Sequence, residues 1–118
     1  MAKITIERVY EPSDLKSAKR VLIDRLWPRG IKKEALVHDL WLKEVAPSNE
    51  LRKWYGHDRE RYDEFKERYL KELRSSPQRE ALDQLKELAN KRLILLTATK
   101  DVEHSSASVL REILEAER

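Results

Sequence analysis

The chain has no cysteine among its 118 residues. That excludes a disulfide framework, a thiolate nucleophile and a thiolate-ligated metal site together. Glycine occurs only at positions 30 and 56, so neither a glycine-rich phosphate loop nor a serine-hydrolase elbow can be written into it. No apolar run approaches the ~20 residues that a membrane-spanning helix requires. The opening residues MAKITIERVY have no apolar core of the kind a secretory signal needs, and a cytoplasmic protein is expected. An excess of one charge is missing too. Lys and Arg number 25 against 22 Asp and Glu, a formal net charge of +3, too even a balance to demand nucleic acid as partner. There is no internal repeat and no linker, and the length fits one domain over residues 1–118.

What is present is unevenly distributed. Between positions 16 and 33 the basic residues are Lys16, Lys19, Arg20, Arg25, Arg29, Lys32 and Lys33, against Asp24 alone. Residues 3–10 alternate, with Ile4 and Ile6 on one face and Thr5, Glu7 and Val9 on the other, as a strand with one wetter face does. Val21, Leu22 and Ile23 follow one another, and so do Leu93, Ile94, Leu95 and Leu96. Runs of this kind suit strands covered on both faces. Residues 31–45 fit either a helix, with Leu36 and Leu40 as an i,i+4 pair, or a short strand over 37–42. Ser48 is placed to cap a helix carrying Leu51, Trp54 and Tyr55, and Gly56 to stop it. Tyr62, Phe65, Tyr69 and Leu73 form one stripe of a helix predicted over 57–73. Ser76 and Pro77 open another, lined by Ala81, Leu85, Leu88 and Ala89. Ser105 or Ser106 caps a last helix with Val109, Leu110, Ile113 and Leu114 inward. The order predicts an α/β fold: a small, mostly parallel or mixed sheet of three to four strands flanked by about four to five helices.

In open α/β sheets ligands bind beyond the carboxyl ends of the strands. Two buried-type strands here end in polar clusters. The first lies within VLIDRLWPRG (21–30) and offers Asp24, Arg25 and Arg29. The second runs through Thr97, Thr99, Lys100 and Asp101 to His104, Ser105 and Ser106. If the strands are parallel, Arg25, Arg29, Lys100, the two serine hydroxyls and the first amides of the last helix share one edge. Such a set suits a phosphate or carboxylate. Each residue alone also has a plain structural use: Asp24 and Arg25 can satisfy a strand end, and a serine before a helix usually only caps it.

His57 and His104 are the acid–base candidates, His104 with Asp101 near enough in sequence to orient it. Asp58 beside His57 suits a helix cap. His38, His57 and His104 lack metal-ligand spacing, and no metal or cofactor is expected.

Four stretches in order, VLIDRLWPRG at 21–30, WLKEVAPS at 41–48, LRKWYGHD at 51–58 and LLTATKDVEHSSA at 95–107, resemble the YeaO-like branch of the domain of unknown function 488 (DUF488) family. The resemblance spans almost the whole chain. It implies a small bacterial or archaeal α/β protein and no established activity. The polar positions that recur in the family correspond here to Asp24, Arg25, Arg29, Lys43, Ser48, Arg52, Trp54, His57, Asp58, Asp101 and His104, among others. Longer relatives carry cysteines and a Cys-His-Arg run near the last strand, where this chain reads Thr97, Ser105, Ser106 and Ala107. Thiol chemistry is therefore not carried over.

The leading expectation is a protein that binds an anionic small molecule at the strand-end edge, with Asp24, Arg25, Arg29, Lys100, Ser105 and Ser106 as ligand-binding residues and His57, His104 and Asp101 as catalytic candidates. Two alternatives stand beside it: a nucleic-acid-binding module using the basic segment 16–33, and a protein-interaction or dimerisation domain presenting aromatic surface. No membrane partner is expected, and no oligomeric state follows from the sequence.

Overall fold

A computed structural model describes residues 4–11, 13 and 17–116. The two apolar runs form the centre of the sheet. The strands β1 (Ile4–Arg8), β2 (Lys19–Leu22), β3 (Leu40–Trp41) and β4 (Leu93–Thr97) lie in the order β1-β4-β2-β3. All three pairings are parallel, and β2 runs beside β4 from Lys19↔Leu93 to Leu22↔Leu96. Every residue of β4 is buried, as a central parallel strand should be.

The helices are α1 (Asn49–Tyr55), α2 (Tyr62–Glu72), α3 (Gln78–Leu88) and α4 (Ser106–Ala116). The structure is thus the expected α/β fold, with one refinement: the helices crowd one face. There Val21, Leu93 and Leu95 meet Tyr55, Phe65, Tyr69, Leu85 and Leu110 in one core. The opposite face shows Leu22, Ile94 and Leu96, which pack with Leu36 and the half-buried Trp27, Ile31 and Trp41. Residues 23–39, the connection from β2 to β3, therefore cover the second face without a regular helix. Pro28 and Gly30, the latter at φ 82°, break any helical run there, and only a single 3-10 turn forms, at Lys33–Ala35.

Local signals explain most element ends. Ser48 Oγ accepts the Leu51 amide at 3.2 Å and caps α1, while Gly56 ends it at φ 54°. The stripe of α2 is buried at Phe65 and Tyr69, with Leu73 just beyond its end. That helix starts later than the predicted residue 57. Asp58 accepts the Glu60 amide at 3.0 Å and holds a separate 3-10 turn, Arg59–Arg61, ahead of it. Pro77 precedes the first residue of α3, and the Ser76 hydroxyl bonds the Glu80 carboxylate instead of capping the backbone. The ambiguous stretch 31–45 is a strand only at Leu40–Trp41, between two 3-10 turns. The run Val21–Ile23 outlasts its strand by one residue: β2 ends at Leu22, although Ile23 N still donates to Leu96 O.

The basic segment does not make one stripe. Lys16 lies outside the described residues. Arg20 is buried and paired with Glu7 at 3.1 Å. Lys19, Arg29, Lys32 and Lys33 are exposed. No helix among the described residues is long and apolar enough to cross a membrane.

Candidate anion site at the sheet edge

Because β2 and β4 are parallel, their polar carboxyl ends meet. A cavity of about 340 Å³ opens between them, walled by the turn after β2, the end of β4, α1 and the start of α4. Asp24, Arg25, Arg29, His57, His104, Ser105 and Ser106 all line it. Lys100 is exposed and Asp101 sits behind His104, so neither reaches the wall directly.

Asp24 joins the two strand ends. Its Oδ1 accepts the Thr97 hydroxyl at 2.7 Å and its Oδ2 accepts the Ala98 amide at 2.7 Å. Burial pushes the Asp24 carboxyl above its ordinary value of 3.8, and those two hydrogen bonds and the positive charge of Arg52 oppose the rise without cancelling it. The role is structural and electrostatic: it closes the floor of the cavity.

Arg25 is fixed by backbone. Its Nε donates to Pro47 O and its Nη2 to Ala46 O, both at 3.0 Å. A guanidinium has five N–H donors in a planar fork. The two carbonyls occupy one edge, and the Nη1 edge is left with its direction set. Arg25 thus anchors the loop before α1, a structural use of the kind expected of it at a strand end.

Arg52, on α1, is the residue that strand-end reasoning missed. It lines the cavity, its Nη2 makes a long bond to Asn49 Oδ1 at 3.3 Å, and its Nε–H is buried with no acceptor. An unmet buried donor costs about 1–3 kcal/mol, more when charged. Among the described residues, neither Arg25 nor Arg52 forms an ion pair with a carboxylate. Only the family resemblance pointed to Arg52. On the sequence it is one more arginine on a charged helix.

The start of α4 contributes in a different way from that expected. Ser105 Oγ donates back to Val102 O at 2.6 Å and does not cap the helix. The Ser105 carbonyl accepts from Ser108 N, at 3.1 Å. The first-turn amides of α4 therefore remain without a side-chain cap, at the positive end of an 11-residue helix.

His104 is oriented by Asp101, with Nδ1 3.0 Å from Oδ1, and Arg59 Nε bonds the other oxygen of Asp101 at 2.6 Å. The His104 hydrogen bond first, and Arg59 second, hold Asp101 below the usual carboxylate range. An ionised Asp101 only accepts, so Nδ1 carries the proton and Nε2 is left for another partner. The Tyr55 hydroxyl donates to His104 O at 2.5 Å, and burial, with Asp101 nearby, pushes Tyr55 up to about 12. His57 follows Gly56 in a second left-handed position, φ 58°, exposed at the mouth. Among the described residues no group of three or more His, Asp or Glu side chains could hold a metal ion.

A family profile described as the "Inactive DUF488-N3 subclade" matches residues 3–118. The chain belongs to this DUF488 subclade. Over 113 residues it is 44% identical to the uncharacterized protein Rv3073c of Mycobacterium tuberculosis, covering 95% of this chain and 93% of that one. It is 42% identical over 112 residues to the uncharacterized protein YeaO of Escherichia coli, covering 94% and 96%. No solved structure matches the chain. The DUF488 resemblance read from four sequence stretches thus holds over nearly the full length. Three of the four places where longer DUF488 relatives were expected to carry cysteines and a Cys-His-Arg run, Thr97, Ser105 and Ser106, stand on the cavity wall.

Proposed function

We propose that this DUF488 protein binds a small anionic ligand, through a phosphate or carboxylate group, in the cavity at the carboxyl edge of its sheet. The observation that carries the reading is the pair Arg25 and Arg52. Both line one cavity, Arg25 is held in place by two carbonyls, and Arg52 keeps a buried N–H without an acceptor. An anion bound in this cavity takes charge-assisted hydrogen bonds from the two guanidinium groups. The uncapped first turn of α4 adds positive potential at the same place.

The reading is of a binder. The word "inactive" in the subclade's description supports it, and so do the residues Thr97, Ser105, Ser106 and Ala107 where cysteines and a Cys-His-Arg run were expected in longer relatives. In this account Asp101 orients His104, which lines the cavity together with His57. The nucleic-acid reading has less support, because Arg20 is buried against Glu7 and Arg25 points inward.

Calorimetric titration with inorganic phosphate tests the proposal. The wild type binds, and Arg52→Gln weakens binding by tenfold or more, the worth of one charge-assisted hydrogen bond. If neither phosphate nor acetate binds the folded wild type, the proposal is wrong.

A further inference from the structure

The cavity lining mixes two kinds of residue. Arg25, Arg52 and the first turn of α4 offer donors. Tyr10, Leu26 and Trp27 offer apolar surface, and the polar hydrogens of Tyr10 and Trp27 are already used. Trp27 Nε1 donates to Ile31 O at 2.6 Å, and edge-on contacts to His38 and Trp41, centroids 5.4 and 5.3 Å away, fix its plane. Tyr10 donates its hydroxyl proton to Arg29 O at 2.9 Å. Leu26 has no polar atom to offer.

Tyr10 and Leu26 are also exposed. Among the described residues, the exposed large hydrophobics are Tyr10 at 46%, Leu26 at 60% and Val37 at 74%. A lone exposed leucine is ordinary. Here two of the three line the same cavity, and an apolar surface gathered at a concave site marks a binding face.

Volume points the same way. A cavity of about 340 Å³ leaves room beyond a phosphate of five non-hydrogen atoms, and Tyr10, Leu26 and Trp27 line the same cavity. Resting on the anion reading above, we propose that the ligand is an aromatic ring bearing a phosphate or carboxylate arm. The arm is held by Arg25 and Arg52, and the ring lies against Tyr10, Leu26 and Trp27. Tyr10, Leu26 and Trp27 have no free donor, so against these three residues the ring is held by shape and apolar contact.

Methyl phosphate and phenyl phosphate carry the same charged group and separate the two halves of the proposal. In calorimetric titrations of the full chain, phenyl phosphate binds at least tenfold more tightly than methyl phosphate. Leu26→Ser, an exposed position that the fold tolerates, narrows that ratio at least threefold. Val37→Ser, equally exposed but off the cavity, keeps it. Equal affinities for the two esters, or a ratio unmoved by Leu26→Ser, overturn the ring proposal and leave the anion reading standing. Failure of both esters to bind overturns the two together.

Discussion

Asp24 Oδ1 lies 2.7 Å from the Thr97 hydroxyl, across the two central strands, and its Oδ2 lies equally close to the Ala98 amide. One side chain thus ties the end of β2 to the end of β4 where the cavity begins. Two hydrogen bonds to a carboxylate make this a strong tie: Asp24→Ala is expected to cost about 3 kcal/mol or more, read as a lower urea midpoint. The pH dependence has a definite sign. Burial holds the folded Asp24 above the unfolded value of 3.8, so the folded state keeps a proton that the unfolded chain has released. Its contribution is full below 3.8 and falls as pH rises through the folded value. The stability of the wild type relative to Asp24→Asn should decline over that window, and an increase would contradict the account.

Glu7 gives the opposite slope. Burial pushes it up, but hydrogen bonds from the Ser13 hydroxyl and amide and from Arg20 together bring it below its usual 4.5. Its contribution is present above 4.5 and is lost as pH falls through the folded value. Glu7→Gln removes the carboxylate from a buried guanidinium, Arg20 and Glu7 side chains being 7% and 13% exposed. The expected loss is about 3 kcal/mol at neutral pH, shrinking in acid. A loss unchanged between pH 7 and pH 3 would argue that the pair is not ionic.

His57 occupies a left-handed backbone position, φ 58°, directly after Gly56 at φ 54°. A side chain there costs roughly 1–2 kcal/mol that glycine avoids. His57→Gly should therefore raise the melting temperature while weakening phosphate binding, since the imidazole lines the cavity mouth. Gly56→Ala should do the reverse for stability, because its new Cβ has room, 3.7 Å from Lys53 O, but a strained backbone. A destabilised His57→Gly would show that the imidazole holds the turn.

Asp101 fixes the state of His104. Nitrogen NMR of the wild type should show the neutral His104 ring protonated at Nδ1, the atom facing Asp101 at 3.0 Å. Asp101→Asn should shift the ring toward the Nε2–H form. A wild-type ring protonated at Nε2 would contradict the contact of Asp101 with an Nδ1–H donor.

Much of this site was legible before any coordinates. Val21, Leu22 and Ile23, like Leu93 to Leu96, read as strands covered on both faces, and such strands are most simply parallel neighbours. The convergence of Asp24 and Arg25 with His104, Ser105 and Ser106 followed from that single step. Other features depend on packing that no local pattern encodes. Arg52 reaches the cavity because α1 crosses that edge, and its sequence neighbours Leu51 and Lys53 say nothing of it. Arg25 meets the Ala46 and Pro47 carbonyls only because the loop before α1 folds over the strand end. Lys100 is adjacent in sequence to the right strand yet points outside. The one-sided placement of the helices arises because Trp27, Ile31, Leu36 and Trp41 seal the second face from an irregular segment.

The central claim is that an anion sits between Arg25 and Arg52. Arg25→Ala is a poor test, because it also frees the Ala46 and Pro47 carbonyls. A direct one is anomalous diffraction from crystals soaked in selenate. The account predicts a selenium peak whose selenate oxygens reach the guanidinium groups of Arg25 and Arg52, absent in Arg52→Gln. A well-ordered, accessible cavity with no selenium peak between those two guanidinium groups would contradict it.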